Sequence, residues 1–584
     1  MSESSYWQRE IAARGLNRRA FLRSAALTGV GAAAFLAGCG GSSKKTSTPA
    51  AGGAATGAGT AAPAAGVFAV PEAKKGGTIT NVGLDPTTGW DPHGTIAYLT
   101  GYITEPMQIK LIRHDYRGGK NPWKSGADDA IIGELAEKWE NPDPLTYNFT
   151  LRKGINWPSQ EPMNGRPITA ADVKYNFDHA KLPTSLVQEY VFNNIKSVTA
   201  VDDYTVQFKT NYPHWRWLMD LDSYNTGIIP KGVYEWTGPD GMKDPQKARG
   251  GGPWLLDSYA PGSVVRWKPN EAYRKVFGVP YADRLDVAIL ANGAPRLQAF
   301  VGKKVQFFDA LAGQLDAAQK GRPDAKSLLD AFAPTNTNAV FMKTTEKPWD
   351  DVRLRRALSM AIDRDGWGKT LQYQYKWESG PITWGYPAQK LAHDKMPAET
   401  AKWLKYDPAE AKKLVDAAGV SASTAFTMHM YPYNDTYTPE SQLLIDSFSK
   451  IGVTAKLKVY EYNNWLATAY VGQYSGLLYG PDNLDRVTQQ VADRLLSNSS
   501  RNHSAIKDEV AQKLLADFAA AKGPADGKAV LDQIQIRSVD QAFAVYRPQP
   551  VTPKLWDPAL QNYDGQAAIY YQNYYRDAFE WLTP

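Results

Sequence analysis

The chain has 584 residues, 43% of them hydrophobic, with 66 Lys and Arg nearly balanced by 60 Asp and Glu for a formal charge of +6. Removing residues 1–38 would take away five arginines and two glutamates and leave +3, so no basic field remains of the kind a nucleic-acid surface needs. A single cysteine, Cys39, excludes an internal disulfide or a Cys-based zinc site.

In chain order, Arg18 and Arg19 come first, followed by Phe21 and Leu22 and a weakly apolar run from Ala25 to Gly38. That run is too short for a bilayer core of ~30 Å and reads as an export signal, the arginine pair resembling a twin-arginine signal. Leu36-Ala37-Gly38-Cys39 resembles a lipobox, in which cleavage leaves Cys39 as a lipidated first residue. The following segment, 40–66, is almost entirely Gly, Ala, Ser, Thr and Pro. It cannot bury enough apolar surface to order itself and is expected to be a tether reaching roughly 30 Å. About 518 residues follow, more than one core usually holds, so at least two lobes are expected.

The body opens on a β-prone run, Thr78 to Val82, before Asp, Pro and Gly turns. Tyr147, Phe149 and Leu151 alternate with polar neighbours, as do Tyr204, Val206 and Phe208, predicting two strands. Between them Thr169 is set to cap a helix, with Asp172 three residues on and Val173 and Phe177 on one face. Farther along, Asp407, Pro408 and Glu410 mark a helix start, and Gly419 its end. An amphipathic helix then stops at Gly452, and Val453, Ala455, Leu457 and Val459 predict a strand with one apolar face. Helix feeding strand argues for an α/β or mixed α+β protein of two lobes, with no solenoid repeat.

The ordered landmarks KGGTIT, WDPHG, GELAEKWENPDPLTYNFTLRKGINW, NGRPITAADVKYNF, VDDYTVQF, GIIPK and GGGPWLLDSYAPGSVVRWKPNEAYR, then KPWDDVRLRRALSMAIDRDGW, YDPAEAKKLVDAAG and LLSNSSRN, cover residues 75–584 almost continuously. Together they resemble the extracytoplasmic solute-binding proteins of ABC importers, in the oligopeptide- and dipeptide-binding family, family 5. The resemblance implies a two-lobed periplasmic-binding-protein fold with a hinge. Lobe one would take residues 75–330 and 541–584, with an extra subdomain near 111–224, and lobe two would take 331–540. Ligand would be enclosed between the lobes.

Peptide-binding members of that family carry an aromatic-x-Ala-Asp stretch whose aspartate meets the ligand's amino terminus, and here Tyr479 and Asp482 keep that spacing. Tyr479 stands in place of tryptophan and Pro481 in place of alanine, and the tail to LLSNSS is two residues longer. Gly480-Pro481-Asp482-Asn483 equally suits an exposed turn. The resemblance also puts Tyr98, Trp384, Tyr386, Tyr431 and Tyr433 where cleft-lining residues are expected, in a chain rich in aromatics, with 18 Trp and 32 Tyr. Trp254 and Trp349 fall at structural positions and are expected to pack.

Enzyme signatures are weak. Gly366-Trp-Gly-Lys-Thr370 imitates the end of a phosphate-binding loop, but Asp363 stands where its first glycine is required. The seven histidines, 93, 114, 179, 214, 393, 429 and 503, include no pair at helical metal spacing. No cofactor and no metal are expected. The sequence therefore predicts a monomeric, non-enzymatic lipoprotein outside the cytoplasm. It would capture an organic solute, an oligopeptide ahead of an oligosaccharide, and pass it to an ABC permease. A secreted carbohydrate-active hydrolase on the same anchor is the alternative from another class, requiring two carboxylates facing each other across the cleft.

Overall fold

The computed structural model describes residues 67–583, apart from 84, 87–88, 95–97, 118–130, 183–184, 186–189, 239–240, 291–292, 311–312, 330–337, 372–374, 377–379, 383–385, 387–388, 422, 434, 482–486, 497–498, 500 and 566–576. Arg18, Arg19, Cys39 and the tether lie outside the described residues.

The predicted first strand forms as β1 (Thr78–Gly83). The next folding unit is a four-stranded antiparallel sheet of β2 (Ala136–Asp143), β3 (Thr146–Leu151), β4 (Ile195–Asp202) and β5 (Thr205–Thr210), in the order β2-β3-β5-β4. The alternation of Tyr147, Phe149 and Leu151 puts all three on its buried face. Helix α1 (Ala170–Ala180) starts with the predicted capping box between Thr169 and Asp172 and buries Val173 and Phe177. Arg166 clamps the Asp172 carboxylate through two hydrogen bonds, of 2.8 and 2.6 Å, which ties the cap to the preceding turn.

β6 (Trp254–Ala260), β7 (Val264–Pro269) and β8 (Arg284–Ile289) complete a second sheet with β1, ordered β1-β8-β7-β6, in which β1 runs parallel to β8 with Thr78 opposite Arg284. The glycines before Trp254 are there for space. A Cβ on Gly250 would lie 2.0 Å from the Met107 carbonyl oxygen, and one on Gly252 2.4 Å from that of Gln108. Short strands β9 (Phe307–Asp309) and β10 (Lys326–Leu328) follow.

The chain then builds a five-stranded sheet. Its members include β11 (Asn338–Phe341), which is followed by helices α2 (Val352–Met360) and α3 (Pro408–Ala417), then β12 (Ala425–Met430), α4 (Tyr437–Ser449), β13 (Thr454–Val459), α5 (Tyr462–Ala467) and β14 (Leu477–Pro481). Asp407 caps α3 by accepting from the Glu410 N–H, as predicted. Gly452 ends the turn after α4 at φ +86°, where a side chain would be strained. Of the predicted apolar face, Val453 and Ala455 are buried but Val459 is 55% exposed, because β13 is the edge strand. Helices α6 (Val487–Leu495), α7 (Glu509–Ala519) and α8 (Pro524–Asp540) precede β15 (Ala544–Tyr546) and β16 (Lys554–Trp556).

The order of the five-stranded sheet is β13-β12-β14-β11-β15, while β16 pairs with β9 and β10 instead. β15 completes one edge of the five-stranded sheet, and the chain leaves that sheet between Tyr546 and Lys554. Alternation along the strands separates two apolar layers. Val340, Leu477 and Tyr479 face the helix layer of α2, α3 and α4, whereas Ala339, Phe341 and Leu478 face Trp465, Tyr470 and Tyr474. Trp254 is fully buried and Trp349 packs at a tilt on Phe426 with ring centres 4.7 Å apart, so both pack as expected. The phosphate-loop mimic lies on a short helix, Trp367–Leu371, after α2.

Candidate functional site

Three strands of the five-stranded sheet, β12, β13 and β14, run parallel, so their C-terminal ends lie along one edge. In open α/β sheets that edge is where ligands bind. Tyr431 and Tyr433 follow β12, Tyr460 and Tyr462 follow β13, and Asp482 is next in the chain after Pro481, the last residue of β14. The Tyr460 N–H donates to the Met430 carbonyl at 3.0 Å, extending the pairing by one residue and fixing the two tyrosine pairs beside each other.

Tyr431, Tyr433 and Tyr462 form a half-exposed aromatic cradle. Tyr431 lies 4.8 Å from Tyr433, edge to face, and 5.1 Å from Tyr462, while Tyr433 and Tyr462 are 6.0 Å apart. The Trp465 indole N–H donates to the Tyr433 hydroxyl at 2.8 Å and locks that ring. Gly480 makes this possible, since a Cβ there would stand 3.0 Å from the Trp465 ring. Burial raises all three phenol pKa values, with Glu461 adding to the effect at Tyr431. The cradle is therefore neutral at any physiological pH: a wall that stacks on apolar or planar groups and offers hydroxyls.

Beneath it lies a largely buried polar cluster. The Tyr437 hydroxyl donates to Asn338 Oδ1 at 2.8 Å, and Asn338 Nδ2 donates to the Tyr479 hydroxyl at 3.3 Å. Tyr479 in turn donates to Glu440, which also accepts from Tyr375 at 2.7 Å and pairs with Arg547 Nε at 3.3 Å. Burial works against the Arg547 charge, but the Glu440 carboxylate and the Tyr479 and Tyr375 hydroxyls outweigh it and raise its pKa. Burial first, then Glu440 and Tyr437, push the Tyr479 phenol up against the opposing pull of Arg547, so Tyr479 stays a neutral donor.

The predicted residues thus separate. Tyr431 and Tyr433 are brought together at the strand edge. Tyr479 points the other way, fully buried in the layer behind the sheet, because its position on β14 alternates with Leu478 and Gly480. Tyr386 is also buried, among Ile382 and the apolar faces of α6, α7 and α8, away from the cradle. Tyr98 heads a short helix, Tyr98–Thr104, but its side chain, Trp384 and Asp482 lie outside the described residues. Sequence reading missed Tyr460, Tyr462 and Trp465. The signal was present, since Tyr431-Pro-Tyr433 and Tyr460-Glu-Tyr462 repeat one Tyr-x-Tyr pattern at two strand ends.

Two further polar groupings are structural. In the first part of the chain Lys110 pairs with Asp222 at 2.9 Å and Glu105 at 3.3 Å, Arg113 pairs with Glu134 at 2.6 Å and Glu105 at 2.5 Å, and every one of these side chains has zero exposure. Burial opposes ionisation of Asp222, yet Lys110 and His114 hold its pKa below the usual carboxylate range. No surface of the cluster is open to a ligand. His93 of WDPHG meets His179 with Nδ1 atoms 3.4 Å apart, and His179 stacks on Tyr234. Burial lowers both histidines to about 4, so the pair is neutral. Among the described residues no group of three or more His, Cys, Asp or Glu is placed to hold a metal, and no helix is long and apolar enough to cross a membrane.

Comparison with known proteins gives this geometry its family. The sequence pattern of the bacterial extracellular solute-binding proteins, family 5 (Middle), matches residues 130–500. A di/tripeptide-binding protein 1 of Pseudomonas aeruginosa is 27% identical over 449 residues, covering 71% of this chain and 78% of that one. A periplasmic binding protein of Helicobacter pylori in complex with the peptide STSA superimposes with a TM-score of 0.73 at 20% identity, over 87% of this chain and 98% of its own. An oligopeptide-binding protein of Bacillus subtilis in complex with a nonapeptide does so with a TM-score of 0.72 at 17% identity, over 88% of this chain and all of its own. The fold is the two-lobed one of these binding proteins, and the hydrolase alternative is set aside. The chain belongs to the family 5 extracellular solute-binding proteins of ABC transporters, and it is a binding protein, not an enzyme.

Proposed function

We propose that this protein captures short peptides between its lobes and hands them to an ABC permease. The observation that carries the reading is the edge where β12, β13 and β14 end together, with two Tyr-x-Tyr pairs on it and Asp482 one residue beyond β14. In this reading Asp482 supplies the carboxylate for the peptide's ammonium group, a charge-assisted pairing that gains strength when closure removes water. Tyr431, Tyr433 and Tyr462 receive a side chain or the flat face of a peptide unit. The names of the relatives, peptide-binding proteins at 27% identity among them, support peptide over sugar. Lipidation at Cys39 holds the body to the membrane through the 40–66 tether, and export follows the Arg18-Arg19 signal. Cys39→Ser should release the protein from the membrane fraction, and retention there would refute the anchor.

The test of the ligand class is thermal stabilisation by panels of di- and tripeptides against α- and β-linked oligosaccharides. A ligand at 100 times its Kd adds about 2.7 kcal/mol. Stabilisation by peptides that disappears in Asp482→Asn is the expected result. Stabilisation by sugars alone, unchanged in Asp482→Asn, would overturn it.

A further inference from the structure

The two lobes are joined covalently where the chain passes from β10 to β11 and again between β15 and β16. A third joint is not covalent. Trp215 sits in the segment after β5, and its indole lies on α8 at Gly527, a position between the two crossovers in the sequence. A Cβ at Gly527 would stand 2.5 Å from Trp215 Cζ2, 2.7 Å from Cε2 and 2.8 Å from Nε1. The ring also meets Phe518 of α7 edge to face at 6.1 Å, and Trp215 and Tyr212 pack on the apolar cluster made by α6, α7 and α8.

Each side of the contact is prepared. On the first lobe, Asn194 holds Tyr212 by two hydrogen bonds of 3.1 Å, and the next residue but one after Trp215, Trp217, is fully buried against Tyr147 at 4.4 Å. Trp215 is thus presented from a loop that is pinned on both flanks. On the second lobe, glycine inside a 17-residue helix is a poorer helix former than alanine, and its one visible return is the seat it leaves for the indole. The Trp215 N–H is buried there with no hydrogen-bond partner among the described residues. Separation of the lobes would give that N–H to water, so the contact is held by packing alone and carries a cost that keeps it reversible.

We propose that Trp215, seated on Gly527 against Phe518, is the clasp of the closed state: lobe closure makes this contact, opening breaks it, and it sets ligand affinity from outside the binding site. A ligand shifts the open-closed equilibrium only by its differential contacts, and a clasp adds a constant bias toward closed that every ligand shares.

The test needs no ligand and rests on the two-lobed fold alone, so failure of the peptide reading leaves it intact. The full chain carries one cysteine. With Cys39→Ser, spin labels at Ser197→Cys and Ala516→Cys, both exposed, report the distance between β4 and α7 by pulsed electron resonance. Trp215→Ala should cut the closed-to-open ratio by roughly tenfold, in line with the loss of one buried indole face. Gly527→Ala should do the same although it improves the helix, and Gly527→Ala added to Trp215→Ala should do nothing more, since the clash partner is gone. An unchanged distance distribution in either single variant, or a double variant that opens beyond Trp215→Ala, would overturn the clasp.

Discussion

Glu440→Gln is the substitution on which the buried cluster behind the cradle can be judged. Glu440 and Arg547 are both at zero exposure, 3.3 Å apart, and Glu440 also accepts from Tyr375 and Tyr479. Glutamine keeps the shape and one acceptor but leaves the Arg547 guanidinium as an uncompensated buried charge. Breaking a buried pair in this way costs about 3–5 kcal/mol, against about 1 kcal/mol for a neutral hydrogen bond. Replacing both partners by apolar side chains removes the orphan, so Glu440→Met with Arg547→Met should lie about 2 kcal/mol or more above Glu440→Gln in stability. The assay is urea unfolding followed by circular dichroism, with the pair's coupling taken from the double-mutant cycle Glu440→Met, Arg547→Met and both. A loss under about 1 kcal/mol for Glu440→Gln would show that Arg547 is solvated or paired elsewhere, and the reasoning would fail. The result bears on binding because Tyr479 and Tyr437 of this cluster sit directly behind Tyr433, whose ring is 5.4 Å from Tyr437.

Two other outcomes follow from geometry and from charge. Gly252→Ala should destabilise the protein by about 3 kcal/mol or more, because its Cβ would lie 2.4 Å from a backbone oxygen that cannot move aside, and a melting temperature within a degree of the parent would refute the close approach. His93 is held near 4 by burial while an unfolded histidine titrates near 6.5, so above pH 6.5 it contributes nothing to pH dependence. As pH falls from about 6.5 to about 4 the unfolded state takes a proton that the folded state refuses, and stability should drop by up to about 3 kcal/mol. Thermal melts at pH 7, 6 and 5 measure this, and His93→Gln should flatten the part of the slope that His93 supplies; identical slopes would contradict a neutral His93.

What local chemistry decides was legible in the chain. The capping box of α1, the Asp407 cap of α3, the alternation of β3 and the stop at Gly452 depend on interactions within a few residues and appear as expected. The family resemblance, carried by ordered landmarks, likewise implied the two-lobed fold that the comparisons establish.

The site was only partly legible, for reasons that lie in strand pairing. Tyr479 sits three residues before the expected ligand aspartate in sequence, yet alternation on β14 turns its side chain to the layer where Glu440 and Arg547 engage it. Which face a strand residue takes depends on what packs above and below the sheet, and no window of sequence contains both. Tyr462 shows the converse. It lies 29 positions from Tyr433 in the chain but 6.0 Å away in space, because β12 and β13 are parallel neighbours that end in register. Trp215 and Gly527, more than 300 residues apart, meet only in the folded chain. The sequence by itself determined composition, local elements and family; the cradle, the buried ion pair and the clasp came from tertiary structure, because each is a contact between segments whose separation only the folded chain abolishes.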